Sequence, residues 1–436
     1  MSYFAAHRRA ILNHARREGL YSIPEISNMI NTQGYIPIAL PAEFHSMPLN
    51  GSRIMGAGTI WEGTYTTGAG QKYIQVRHLD FINTTTLLMH YLHGFTYDGN
   101  MLNSTNITIN NIAIFTAATN SNSCFIRNVK IEYFGNMHGL VLNIGNNSII
   151  ENITATANIT SNNTTAFASG FVGFVLAGTV IRNITYTGNV STPINSPISG
   201  IGLFISVAEI NVLIENCVIT GNITGGAGYV GLIAALSNGI INNIKVHGNI
   251  NITANYDVIA GLAVGELHAG GSVTQISASG IMTITNDVVN RNNQCGGLVG
   301  NILSGVNNNL QNSFAHVDVL TQGRYVGGVV GVNRGNIINC YSTGRITGGD
   351  IAVGGSVGWN GNSVINTYFD RETAGIATSA AGLPRSTAQM QVGTASSFIR
   401  PDGTIDTSNL SDNAMYINWL NDIWDFQDTN QYPILR

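Results

Sequence analysis

The chain has 436 residues, a formal net charge of −4 and only 10% charged residues, far below the roughly 25% of an ordinary globular protein. Its three lysines (Lys72, Lys130 and Lys245) form no cationic stripe, so no nucleic-acid partner is expected. No run of 18 apolar residues is present, so no membrane span is expected; 51 glycines and 9 prolines punctuate short apolar stretches in the manner of a β-rich chain.

In chain order, residues 1–34 come first. SYFAAHRRAILNHARREG (2–19) predicts a short amphipathic α-helix that Ser2 can cap and Gly19 can end. Phe4, His7, Ile11 and Ala15 share one face. The segment has four arginines, no apolar h-region and no small-residue cleavage site, so a secretory signal is not expected. Phe4, Arg8, Arg9, Ile11, Arg16 and Arg17 are the candidate assembly residues, joining the chain to its own body, a larger particle or a second copy. Residues 35–110 read as a β entry and cap region. His90 and His93 have metal-compatible spacing only on a helix and lack an evident third ligand, and Asp98-Gly99 is foremost a hairpin turn. Neither a metal nor a cofactor is expected.

Residues 111–366 are repetitive. VIRNITYTGNV (180–190), LIENCVITGNI (213–223), IINNIKVHGNI (240–250) and IINCYSTGRI (337–346) share one pattern: apolar, any residue, Asn, alternation, Gly, and a closing β-branched residue. Alignment places Asn128, Asn152, Asn183, Asn216, Asn243, Gln275, Asn312, Asn339 and Asn366 in one column at spacings of 24 to 37 residues. Nine copies predict about nine coils of a right-handed, single-stranded parallel β-helix, all-β apart from the N-terminal helix and closed by a cap over 367–436. The residues one and three places after the Asn, such as Ile184 and Tyr186, are expected inside, and the place between them outside. That outer place holds Phe314, Tyr341 and Tyr368 in the last copies, an expected aromatic ladder and candidate ligand surface. The residue before the Asn runs Arg127, Glu151, Arg182, Glu215, which predicts a ladder of ion pairs on rungs about 4.8 Å apart. Cys124, Cys217, Cys295 and Cys340 are expected as small buried hydrophobes, because no CxxC pair is present.

GGLVGN, GGVVGVNRGNIINCYSTGRITG and VGGSVGWNGNSVINTYFDRETAG resemble the GLUG repeat of bacterial surface and secreted proteins. The resemblance implies a β-helix with adhesive roles, an entry region before the repeats and a closing segment, YFDRETAG through YPILR, after them. It implies no reacting group, since the motif residues are structural glycines and asparagines.

Paired carboxylates on neighbouring coils would mark a glycoside hydrolase. Only Glu151 and Glu215 share a column, two coils and about 9.6 Å apart with Arg182 between them, a spacing at the limit for an inverting glycosidase. Asp370 and Glu372 of FDRET fit a cap turn closed by salt bridges better than an acid/base set. The expectation is therefore a non-enzymatic, rigid adhesive surface for a glycan or a protein receptor. It would sit on a virion, as a tail or baseplate component, or on a cell surface. A polysaccharide lyase or glycoside hydrolase is the alternative.

Overall fold

The structure, a computed structural model, describes residues 147–161, 167–288, 291–305, 308–391, 415–416, 419–426 and 430–436. Before residue 147 it describes strands alone, from Tyr35–Pro37 to Val141–Ile144. The candidate helix with Phe4, Arg8, Arg9, Ile11, Arg16 and Arg17 lies outside the described residues, as do His90, His93 and Cys124.

The chain winds into a parallel β-solenoid with three sheets, of 14, 9 and 7 strands, in which the described strands pair with their counterparts one coil away. A coil comprises a strand of the glycine sheet such as Gly200–Gly202, one of the middle sheet such as Ile205–Ala208, and one of the long sheet such as Leu213–Gly225. Among the described residues seven coils carry all three strands, where the Asn column predicts about nine coils. The long strands Phe125–Gly135 and Ile149–Thr160 have middle-sheet companions but, among the described residues, none in the glycine sheet.

Register follows from which side chains must leave water. Ile150, Ile181, Ile214, Ile241, Val273, Leu310 and Ile337 pair coil on coil and are all fully buried. Each such aliphatic side chain stabilises the fold by about 1.5–3 kcal/mol relative to its exposed state. A slip by one residue would turn the whole file to solvent.

Glycine sets the corner between the glycine sheet and the middle sheet. A Cβ on Gly296 would lie 2.0 Å from the Val299 carbonyl oxygen, and one on Gly300 would lie 2.8 Å from the Ala260 nitrogen of the neighbouring coil. Cys295, beside Gly296, is buried in the core, so that glycine faces outward and the corner is re-entrant. The outer sides of the two sheets thus confront each other there.

The C-terminal part first extends the long sheet with Tyr368–Asp370 and Leu383–Arg385. Residues 415–416, 419–426 and 430–436 then form a second core over that sheet, in which Trp419, Trp424, Tyr416 and Leu435 pack on Phe314, Tyr341 and Tyr368. The FDRET turn is held by hydrogen bonds, where salt bridges were expected. Buried Asp370 caps helix Arg371–Ala374 by accepting from the Glu372 and Thr373 amides, and also accepts from the Thr387 and Tyr432 hydroxyls.

Candidate functional site

The column of asparagines makes the bend in each long strand. Asn152, Asn183, Asn216, Asn243, Gln275, Asn312, Asn339 and Asn366 all adopt φ between 46° and 56°. Asparagine tolerates this left-handed conformation better than other side chains that carry a Cβ. The bend puts two successive residues outside, as with Arg182 and Asn183 between buried Ile181 and Ile184. Amide donates to amide along the column: Asn183 to Asn152 at 3.0 Å, Asn243 to Asn216 at 2.7 Å, Asn339 to Asn312 at 3.1 Å and Asn366 to Asn339 at 3.3 Å. For Asn128 the backbone strand is described but not the side chain.

The charge column is in register, Arg127 beside Glu151, Glu151 beside Arg182, and Arg182 beside Glu215. Arg182 donates to Glu151 through Nε at 2.8 Å and Nη2 at 2.7 Å. Among the described residues Glu215 has no ion pair with Arg182, so the expected continuous ladder stops there: Nε and Nη2 of the guanidinium both donate to Glu151.

The aromatic column is corrected in its use. Phe314 and Tyr341 stack at 5.1 Å, yet Phe314, Tyr341 and Tyr368 are each less than 5% exposed. Their positions do point away from the solenoid core, but residues 415–436 cover them. The Tyr341 hydroxyl donates to the Pro433 carbonyl at 2.6 Å. These three rings fasten the C-terminal segment and are not open to a ligand.

The same sheet face stays open in the earlier coils. Thr185, Thr187, Lys245 and His247 lie on it, with Asn189, Asn222 and Asn249 beside them. These asparagines form a second ladder that the sequence alignment missed. Asn189 donates to Asn158 at 2.8 Å, Asn222 to Asn189 at 2.9 Å and Asn249 to Asn222 at 3.0 Å. Its signal was the Gly-Asn pair repeated at 188–189, 221–222 and 248–249.

A second surface lies in the re-entrant corner. Register places Tyr229, Ile259, Gln294 and Tyr325 in one file of the glycine sheet. Leu236, Glu266, Asn301, Val332 and Trp359 form the facing file of the middle sheet. Glu266, only 6% exposed, accepts from Asn301 Nδ2 at 2.8 Å, and His268 Nε2 lies 2.8 Å from its other oxygen. Arg334 Nη1 donates to Asn301 Oδ1 at 3.0 Å, and its guanidinium carbon lies 5.2 Å from the centre of the Trp359 ring. Burial, and then the charge of Glu266, push the Tyr229 phenol above its ordinary pKa. Among the described residues no group of three or more metal-ligating side chains converges, and no helix is long and apolar enough to cross a membrane.

The profile of the family described as the GLUG motif matches residues 322–347, which hold the strands Tyr325–Gly327, Val330–Asn333 and Asn336–Ser342. Halomucin of Haloquadratum walsbyi is 29% identical over 185 residues, 39% of this chain, and the chain spans 2% of that relative's length. A solved structure from Bacteroides ovatus, named a candidate immunoglobulin A1 protease, shares 16% identity over 74% of this chain and 91% of its own. Its TM-score of 0.36 is too low to carry an argument about fold or activity. The chain is a parallel β-solenoid with a GLUG motif in its coil at 322–347.

Proposed function

We propose that the protein is a non-enzymatic binding rod of adhesive type, displayed on a virion or cell surface, whose outer faces engage a glycan or a protein receptor. The observation that carries this reading is the open long-sheet face. Over several coils it presents in-register hydroxyls and amides locked by the second asparagine ladder. Such a surface is preorganised, so binding to it costs little ordering entropy.

The carboxylates support the same reading. Glu151 and Glu215 stand two coils apart, and Arg182 between them donates to Glu151, so the two carboxylates do not face each other across an open site. Residues 1–34 remain the proposed joint to a larger particle. The test is to incubate the full chain with polysaccharides, reading retention on an immobilised panel and release of reducing ends. Retention without turnover is expected; turnover lost in Glu151→Gln or Glu215→Gln would overturn the reading. Deleting residues 2–34 should abolish particle assembly while the rod's circular dichroism is unchanged.

A further inference from the structure

We infer that the open long-sheet face carries a subsite for one carboxylate-bearing sugar, a sialate or a uronate, with Lys245 and His247 as its anion-binding pair. The inference rests on the binding-rod reading and names the class of glycan that the face takes.

The subsite lies on a strip between the two asparagine ladders. One outward file of the strip runs through Thr185, Val218, Lys245 and Ser277, and the other through Thr187, Thr220, His247 and Ser279, in register from coil to coil. Among the described residues Lys245 and His247 are the ionisable groups of these files, and both are exposed. The carboxylates of the same sheet stand outside the strip. Glu215 lies beyond the first ladder, before Asn216, and Asp318 continues the file of Asn249 and Ile281, where it accepts from the Arg345 amide.

Two groups are thus left to meet an anion. Lys245 has no ion pair among the described residues. The His247 Nδ1 lies 2.9 Å from the Ser279 hydroxyl, which holds the ring and leaves Nε2, without a hydrogen-bond partner among the described residues, to a ligand. The two residues alternate on one strand, about 6.6 Å apart by the strand rise. One carboxylate seated between them gains charge-assisted hydrogen bonds from both.

The coils on either side select the rest of the ligand. Thr220, Ser277 and Ser279 offer hydroxyls that both donate and accept, and Val218, 43% exposed, offers an apolar contact beside them. A sugar ring presents the matching mixture of hydroxyls and apolar faces. A polyanion would need its charge met coil after coil, and the coils before and after Lys245 carry none in these files. A peptide adding itself as a strand has no edge here, because Ile240–Ala254 is paired on both sides, with Leu213–Gly225 and with Ser272–Asn286.

The experiment is calorimetric titration of the full chain with two matched pairs, sialyllactose against lactose and cellobiouronate against cellobiose, and with inorganic phosphate. Sialyllactose or cellobiouronate should bind more tightly than its uncharged counterpart and than phosphate. Lys245→Gln and His247→Gln should each weaken that binding about ten-fold, with unchanged thermal melting. Arg371→Gln, which removes the same charge from the C-terminal helix Arg371–Ala374, should leave it unchanged. Uncharged counterparts that bind equally well, or affinity kept in both strip variants, would overturn the subsite. So would a loss in Arg371→Gln as large as in Lys245→Gln, which would mean net charge alone. Phosphate bound as tightly as the acidic sugar would mean an adventitious ion only, and would overturn it as well. Wild-type protein that binds neither acidic sugar would overturn it too; retention on the immobilised polysaccharide panel would then leave the binding rod standing, and no retention would count against a glycan receptor.

Discussion

At Gln275 the column of left-handed residues keeps its backbone conformation, φ 55°, but among the described residues its side chain makes no hydrogen bond to Asn243 or Asn312. Glutamine is one methylene too long for the amide-to-amide geometry and less at home at positive φ than asparagine. Gln275→Asn should raise unfolding free energy by about 0.5–1.5 kcal/mol, the net worth of a hydrogen bond, as read by urea denaturation. Asn243→Ala should cost more than Asn243→Gly, because alanine adds about 1–2 kcal/mol of left-handed strain to the lost bond. His316 gives a pH signature. Burial lowers its pKa to about 4, and its Nε2 lies 3.2 Å from the Tyr341 hydroxyl. The folded state holds it neutral while the unfolded chain titrates near 6.5, so between those values the unfolded state binds more protons. Its contribution is fully present above about pH 6.5 and is lost as pH falls toward 4. The wild type should therefore lose about 2–3 kcal/mol over that window, and His316→Gln should flatten the dependence.

Elements differ in how far residues alone disclosed them. The Asn column was legible, because each coil repeats one local requirement that selects asparagine whatever the neighbouring coils contain, but the bend it makes at positive φ was not, since alternation on either side of it reads as one straight strand. The outward direction of Phe314, Tyr341 and Tyr368 was legible for the same reason of period two. Their burial was not, since the cover comes from Trp419, Trp424 and Leu435, which lie far along the chain and carry no repeat to align. The facing files of the corner were hidden too, because contact between them joins different coils through glycines that have no side chain to pattern. Trp424 is fully buried in the cover, so Trp424→Ala should cost about 3–5 kcal/mol in denaturation. It should also make Tyr341 and Tyr368 newly accessible to a hydrophobic dye. Gly300→Ala should destabilise the corner, since the added methyl meets backbone in three directions.

For the molecule as a whole, repetition made the stacking readable, and among the described residues seven of the nine long strands of the Asn column belong to coils with all three strands. Rigidity follows from the stacking: each coil is held by main-chain bonds, a buried aliphatic file and amide ladders to the next. A binding surface built on such a frame has its geometry set by register alone. The direct test is disulfide formation between cysteines placed on adjacent coils, whose Cα separation in a parallel pair of about 4.8 Å suits a disulfide. Thr187 and Thr220 are register partners, so the doubly substituted Thr187→Cys, Thr220→Cys chain should cross-link under mild oxidation. Thr187→Cys with Thr224→Cys, four residues out of step, should not. Cross-linking of the second pair, or of neither, would contradict the stacked register on which the open long-sheet face depends.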